Sequence, residues 1–364
     1  MNNFFDLYIG KGWLVIYGRK GSGKTVLAEC SICRSDHSHF TDGIYWINVG
    51  NLTITKNKNI DSEEILRQEL YTRLELLFQS IGYFHEKNQT KPEKLENIEL
   101  ELNLHFRKHP KSLLVLDDVQ SHEIFKYFRF DIPIVITTFD KGIIPKELPN
   151  VRFISTQDEH GNVLSHSECN ELLIKCINND KFKFQYLLDS SNHLTKLFDA
   201  FDGLPYCIPL IANYMIPFIH DYSYKDSQKM NELEKHWQEL HKTLTEEDSF
   251  LAGSFYLLDL TIEAMKSEKL VDCFYDFGIF PEPVSFDALK IIWGTNKFIT
   301  ANYLEQLFQK SLIKKHTINQ ARTDITNQLF TVHDLTASYL MKKLKEKKQL
   351  EVCHSFNKQI YISN

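Results

Sequence analysis

The chain has 364 residues and a formal net charge of −6, with 43% hydrophobic and 25% charged residues. That length makes room for two or three domains, each burying its own core, and the mild acidity argues against broad nucleic-acid binding as the main task. The sequence has neither a run of 18 uninterrupted apolar residues nor a signal-peptide pattern at its start, so it reads as a cytoplasmic protein with no membrane association.

The first recognisable element is WLVIY, Trp13 to Tyr17, a short apolar run rich in β-formers. GRKGSGKT follows at Gly18 to Thr25 and fits the phosphate-binding pattern G-x-x-x-x-G-K-[ST]. TVLAEC then starts a helix, which gives the strand, glycine loop and helix that this pattern requires. Gly21 and Gly23 let the backbone turn tightly and approach phosphate groups. Successive N–H groups point inward, and the helix adds its positive end. Lys24 is expected to reach the β- and γ-phosphates and the Thr25 hydroxyl to bind Mg²⁺. The candidate nucleotide-binding residues here are Gly18, Gly21, Ser22, Gly23, Lys24, Thr25 and Val26. Cys30 and Cys33 form a C-x-x-C without a second pair at zinc spacing, and they read as free helix thiols among seven scattered cysteines.

GIYWINVG, Gly43 to Gly50, is a second strand, and a helical pattern runs from Ser62 to about Gly82. In KSLLVLDDV, Lys111 to Val119, four apolar residues lead straight into Asp117 and Asp118. A continuous apolar run is the mark of a buried parallel strand, and its C-terminal end is where open α/β sheets bind ligands. Asp117 is the candidate Mg²⁺ partner beside Thr25, and Asp118 the candidate catalytic carboxylate that orients an attacking water. The competing reading makes both aspartates turn or capping residues. IPIVITT, Ile132 to Thr138, and VRFIST, Val151 to Thr156, complete five strands. With helical connections these make a doubly wound parallel sheet.

From Ser165 to about Leu244 apolar residues recur at helical spacing, and Phe198, Phe201 and Tyr214 read as core. From about Ser254 further helices lead to a hairpin, SLIKKHT at Ser311 to Thr317 and NQLFTVHD at Asn327 to Asp334. Helices followed by a two-stranded wing suit a winged helix. The basic wing segment, Lys314 to Thr323, reads as an intramolecular packing surface, and MKKLKEKK at Met341 to Lys348 reads as a solvated helix face.

The phosphate loop, IYWINVG, RKHPKSLLVLDDV and IVITT, in this order and spacing, resemble the NB-ARC family, in particular its apoptosome scaffolds. GLPYCIPLI at Gly203 to Ile211 resembles the family's GLPL motif, and FTVHDL at Phe330 to Leu335 resembles its MHD motif with valine in place of methionine. FGIFPEPVSFDALKIIWG and LEQLFQKSLI resemble its winged-helix domain. The resemblance implies an α/β P-loop NTPase domain with strand order 5-1-4-3-2 at residues 1–160, an α-helical domain at 161–250, a winged-helix domain at 251–345, and the start of a further helical segment at 346–364. It implies an adenine nucleotide, ATP, dATP or ADP with Mg²⁺, with Pro205 against the adenine and His333 near the β-phosphate. Gly203 suits the start of a helix and Pro205 its first turn, whereas Pro209 is expected to remove one helical hydrogen bond.

What the resemblance implies functionally is a switch that assembles into a ring through its nucleotide-binding domain and activates caspases, which are recruited through a domain this chain does not contain. Two departures bear on that. The family's arginine after the paired threonines is Phe139 here, and a phenyl ring cannot donate to phosphate, so at most slow ATPase activity is expected. Only seventeen residues precede Gly18, so the segment that helps enclose the adenine is expected to be largely missing, as in a piece of a longer protein. The alternative is a P-loop ATPase that turns over as an oligomeric remodelling enzyme, with Asp118 as its water-orienting carboxylate. A defence receptor of the same class lacks support, because leucine-rich repeats are absent from the sequence.

Overall fold

In a computed structural model of the chain, the described residues are 12–34, 39–50, 62–81, 95–177, 192–220, 235, 238–242, 250–265, 267–280, 283–317 and 328–346. The chain divides into two compact units, Met1–Asp158 and Glu159–Asn364.

The first unit is built on five strands: β1 (Trp13–Tyr17), β2 (Gly43–Asn48), β3 (Ser112–Asp117), β4 (Ile134–Thr138) and β5 (Val151–Ser155). They form one sheet in the order β2-β3-β4-β1-β5, every pairing parallel, which is the expected 5-1-4-3-2 order read from its other edge. Three helices accompany it: α1 (Lys24–Arg34), α2 (Ser62–Ser80) and α3 (Leu95–Lys108). The alternation of side chains along each strand assigns them to two cores. Trp13, Val15, Leu114 and Leu116 pack with Leu74, Phe78, Leu102 and Phe106 of α2 and α3. Leu14, Ile16, Leu113 and Val115 pack with Ala28 and Ile32 of α1. Because both faces are covered, the central strands read as unbroken apolar runs, and every residue of β3 and β4 is buried. Of the edge strands, β2 exposes alternate side chains instead, and β5 exposes Arg152, Phe153 and Ser155 and buries none of its residues fully. β4 starts at Ile134, two residues later than the apolar run, because Pro133 has no N–H to give a ladder.

The second unit includes the α-helices α4 (His166–Cys176), α5 (Asn192–Ala200), α6 (Cys207–His220), α7 (Phe250–Glu263), α8 (Glu268–Asp276), α9 (Phe286–Ile292), α10 (Lys297–Gln309) and α11 (Asp334–Glu346). A small antiparallel sheet has β8 (Gln328–Thr331) between β6 (Val284–Ser285) and β7 (Lys314–Thr317). Local signals fix several helix ends. Ser165 and Glu168 form a reciprocal capping box on α4, and Ser267, Ser285 and Asn296 cap α8, α9 and α10. One hydrophobic cluster runs through the unit, from Leu173, Phe198 and Ile211 through Leu258, Phe274 and Phe286 to Leu304, Phe330 and Leu340. Phe198 and Phe201 lie inside this core and Tyr214 packs against it, as the spacing predicts. Tyr339 of α11 is buried, and its hydroxyl donates to Asp259 Oδ1 of α7 at 2.6 Å. Residues 318–327 of the expected wing, the parts of the expected helical pattern at 178–191 and 221–234, and the C-terminal segment from 347 lie outside the described residues.

Three expectations around the GLPY motif change. Asp202 and Gly203 both have positive φ, 52° and 63°. The Asp202 N–H donates to Asp199 O and the Gly203 N–H to Phe198 O, the pair of bonds that closes a helix in a Schellman turn. Gly203 therefore ends α5 rather than opening α6, and a Cβ there would meet Leu164 O at 2.2 Å. Pro205 lies in the turn ahead of α6 rather than in its first turn. Pro209, the third residue of α6, removes no helical bond, because the first four amides of a helix have no intrahelical acceptor.

At the end of α8, burial raises the Asp276 carboxyl from 3.8 to about 6, with the Asp272 charge adding to the effect and Lys269 opposing it. The folded state thus holds a proton more tightly than the unfolded chain, so this group's contribution to stability is present below about pH 4 and is lost as pH rises through 6. Asp276→Asn is expected to stabilise the second unit at pH 7 by on the order of 2 kcal/mol. The difference should vanish near pH 4 when thermal unfolding of the two proteins is compared across that range.

Candidate functional site

The loop between β1 and α1 takes its shape from three glycines with positive φ: Gly18 at 155°, Gly21 at 80° and Gly23 at 83°. A Cβ on Gly18 would stand 2.0 Å from Thr156 Oγ1, the first residue beyond β5. That hydroxyl oxygen lies 2.7 Å from Ser22 Oγ and 3.3 Å from Tyr17 O, so the end of β5 braces the loop. The Leu27 N–H donates to Gly23 O at 2.8 Å, which makes Gly23 the residue before the helix. The amides of Lys24, Thr25 and Val26 precede that first intrahelical bond and mark the positive end of the 11-residue α1. Ser22 and Lys24 are buried, and the Lys24 ammonium donates to Arg19 O at 3.0 Å across the loop. Val26 lies in the same turn with its side chain exposed.

Facing the loop is the C-terminal end of β3. The Thr25 hydroxyl donates to the Asp117 carboxylate, 2.9 Å to Oδ1 and 3.2 Å to Oδ2. Thr137 of β4 donates a second hydroxyl to Oδ1 at 2.5 Å, and its oxygen accepts the Asp118 N–H at 2.8 Å. The Val119 N–H donates to Thr137 O at 2.8 Å. Asp118 has φ 56°, a left-handed conformation that aspartate tolerates better than most residues, and Gln120 Nε2 donates to its Oδ2 at 2.6 Å. Phe139, next after β4, is 44% exposed.

The structure brings Gly18 through Val26, Asp117 and Asp118 together at one end of the sheet. Pro205 and His333 belong to the second unit, where Tyr206 stacks on the His333 ring with centroids 4.4 Å apart at 28°. Thr137, Thr156 and Tyr206 are the parts that the sequence reading left without a role. Thr137 could have been found from strand pairing, since Leu116 sits beside Ile136 in the β3–β4 register, so Asp117 must sit beside Thr137.

This arrangement suits a magnesium-bound polyphosphate. Glycines open the backbone, a lysine and a helix N-terminus supply positive potential, and a hydroxyl and a carboxylate are the hard oxygen ligands that Mg²⁺ takes in small number when phosphates complete its shell. No group of three or more His, Cys, Asp or Glu that could hold a metal occurs among the described residues.

Fold and loop together define a P-loop nucleotide-binding domain. Residues 6–181 match the NB-ARC domain, and this stretch is an NB-ARC-type nucleotide-binding domain. The whole chain is similar to apoptotic protease-activating factor 1, with 23% identity to the mouse protein over 350 residues and 25% to the human protein over 342. These alignments cover 94% and 91% of this chain, and 25% and 24% of the relatives. The chain therefore spans about a quarter of the length of the relatives it matches. Among solved structures it shares its fold with a signal transduction ATPase with numerous domains from Pyrococcus horikoshii that carries a tetratricopeptide repeat sensor. That match has a TM-score of 0.51 and 18% identity, and it covers 96% of this chain and 43% of that one. No helix among the described residues is long and apolar enough to cross a membrane.

Thr137→Val removes one donor from a buried carboxylate and one acceptor from the Asp118 amide. It is expected to lower the stability of the first unit by about 1–3 kcal/mol while leaving the sheet intact. Urea denaturation followed by circular dichroism measures both.

Proposed function

We propose that this chain is the nucleotide-operated switch of a signalling scaffold of the apoptosome type. The observation that carries the reading is the Thr25–Asp117–Thr137 cluster beneath a Gly18–Thr25 loop. It supplies a preformed oxygen pair for Mg²⁺ next to a cationic phosphate cradle. In this reading Gly18, Gly21, Ser22, Gly23 and Val26 line the phosphate path with backbone groups, Lys24 neutralises phosphate charge, and Thr25 and Asp117 hold the metal. Pro205 is the proposed partner of an adenine base and His333 the proposed donor to a phosphate. When bound, the Mg²⁺–adenine nucleotide, ATP, dATP or ADP, supplies the charge whose change biases the conformations. A nucleotide shifts such a balance only by as much as its affinities for the two states differ.

The remaining features complete the proposal. The helices of residues 161–250 form a helical domain, those of 251–345 with the β6-β8-β7 sheet form a winged helix, and the rest begins a further helical segment. The open form self-associates into a ring through the nucleotide-binding domain and serves caspase activation in apoptosis, the caspase being recruited by a domain outside this chain, in the cytoplasm. Phe139 offers no donor to a terminal phosphate, so the chain holds nucleotide and hydrolyses it slowly if at all. A second reading, an ATPase that turns over, has one observation in its favour: the Asp118 carboxylate is fixed by Gln120 at the end of β3, where a water-orienting group belongs.

Denaturing the purified chain and identifying the released nucleotide by chromatography tests the switch. About one equivalent of adenine nucleotide is expected from the native sequence and none from Lys24→Ala; a folded native protein without nucleotide overturns the proposal. In steady-state phosphate release the native chain is expected to stay well below about 1 per second, the lower end of ordinary enzyme rates, and Phe139→Arg to run several-fold faster. A native rate above that limit decides for the ATPase.

A further inference from the structure

The GLPY and VHD motifs are 127 positions apart, from Tyr206 to His333, yet two contacts inside the second unit join them, and the start of α11 holds His333 in turn. The Tyr206 ring lies on the His333 imidazole, with centroids 4.4 Å apart and planes 28° from parallel. The Tyr206 and Thr336 hydroxyl oxygens are 2.8 Å apart, Thr336 being fully buried in α11. The Leu335 N–H donates to His333 Nδ1 at 3.2 Å, while the Ala337 N–H donates to His333 O at 2.8 Å. His333 is thus the residue that caps α11, using its own ring as the acceptor.

This geometry fixes the chemistry of the imidazole. A ring nitrogen that accepts a backbone N–H carries no proton, so neutral His333 keeps its proton on Nε2 and presents that atom as a donor. Two of the ring's degrees of freedom are constrained from different elements. The α11 backbone sets the rotation through Nδ1, and the Tyr206 face sets the plane. Burial holds the Tyr206 phenol above its ordinary range, so it stays a neutral hydroxyl paired with Thr336. Leucine, which the GLPL pattern has at this position, offers neither a ring face nor a hydroxyl.

We propose that Tyr206 is a positioning residue that locks the plane of the His333 ring, whose Nε2–H form the α11 backbone sets, and ties the Pro205 turn to the start of α11, so that the two motifs move as one piece. The proposal rests on the switch reading for the ligand, a phosphate of an adenine nucleotide, but not for the lock itself. Because the tie runs through one hydroxyl pair, breaking it from either side removes the same interaction, and the two losses do not add.

The lock is read by NMR of the histidine side chains on the full chain without added nucleotide, with His333→Gln assigning the signal. The native protein is expected to show an unprotonated Nδ1 and ring protons shifted upfield by the tyrosine face. Tyr206→Phe keeps the upfield shift and Tyr206→Leu abolishes it; unchanged His333 signals in Tyr206→Leu overturn the lock. Release of a bound fluorescent adenine nucleotide reads the tie. Tyr206→Phe and Thr336→Val are each expected to speed release about threefold, and the double variant also about threefold. A double variant at the product, about ninefold, overturns the tie, as do single variants that release at the native rate. Should Tyr206→Leu fail to fold, Tyr206→His, which restores an aromatic face, takes its place and must retain the upfield shift. If the native chain holds no nucleotide, the switch reading fails and the NMR result alone decides the lock.

Discussion

A carboxylate at the end of a fully buried strand must be hydrogen-bonded, because leaving it unpaired costs several kcal/mol. Asp117 meets that demand with two threonine hydroxyls from two other elements. The consequence spreads outward. Thr25 can reach Asp117 only if α1 begins where it does, and that requires the glycine loop to turn within a few residues. Thr137 can reach it only in the β3–β4 register that places Leu116 beside Ile136. One acid therefore ties together the loop, the first helix and two central strands. The same oxygen atoms stand beside the glycine loop that carries Lys24.

The two units solve their folding problems differently. In the first, a parallel ladder fixes positions and the hydrophobic cores on either side follow the alternation of the strands. In the second, a single cluster passes through every described helix group, and the three short strands contribute only a small sheet to it. Polar ties such as Tyr339 to Asp259 and Tyr206 to Thr336 are set into that packing. Partly buried polar ties of this kind specify one arrangement among the many that apolar contacts alone would tolerate.

Much of the first unit was legible in the sequence. β1 matches its apolar run residue for residue, and β3 and β5 differ from theirs only at the ends, because period and burial leave a direct trace in residue type. The loop was legible because its glycines are demanded by backbone geometry. Contacts that depend on register were harder. The paired threonines of IVITT were visible, but their role required knowing which strand lies beside β3. The GLPY segment was misread locally because its glycine serves the helix before it, and the positive φ of Asp202 leaves no mark in residue type beyond an aspartate. The stacking of Tyr206 on His333 was out of reach altogether, since sequence spacing says nothing about two turns so far apart in the chain.

The conformation of Asp118 carries a consequence for how such a site changes over time. Its left-handed φ of 56° costs about 1 kcal/mol for a residue with a Cβ, and the turn is held by the backbone amides of Asp118 and Val119 on Thr137 rather than by the aspartate side chain. Asparagine or glycine would satisfy that backbone at least as well. The backbone of the turn therefore does not itself demand the second carboxylate, which accepts from Gln120. Asparagine, which keeps an oxygen for Gln120, could replace it with the turn intact, so a lineage that needs only to grip its ligand would feel little structural selection to keep the charge.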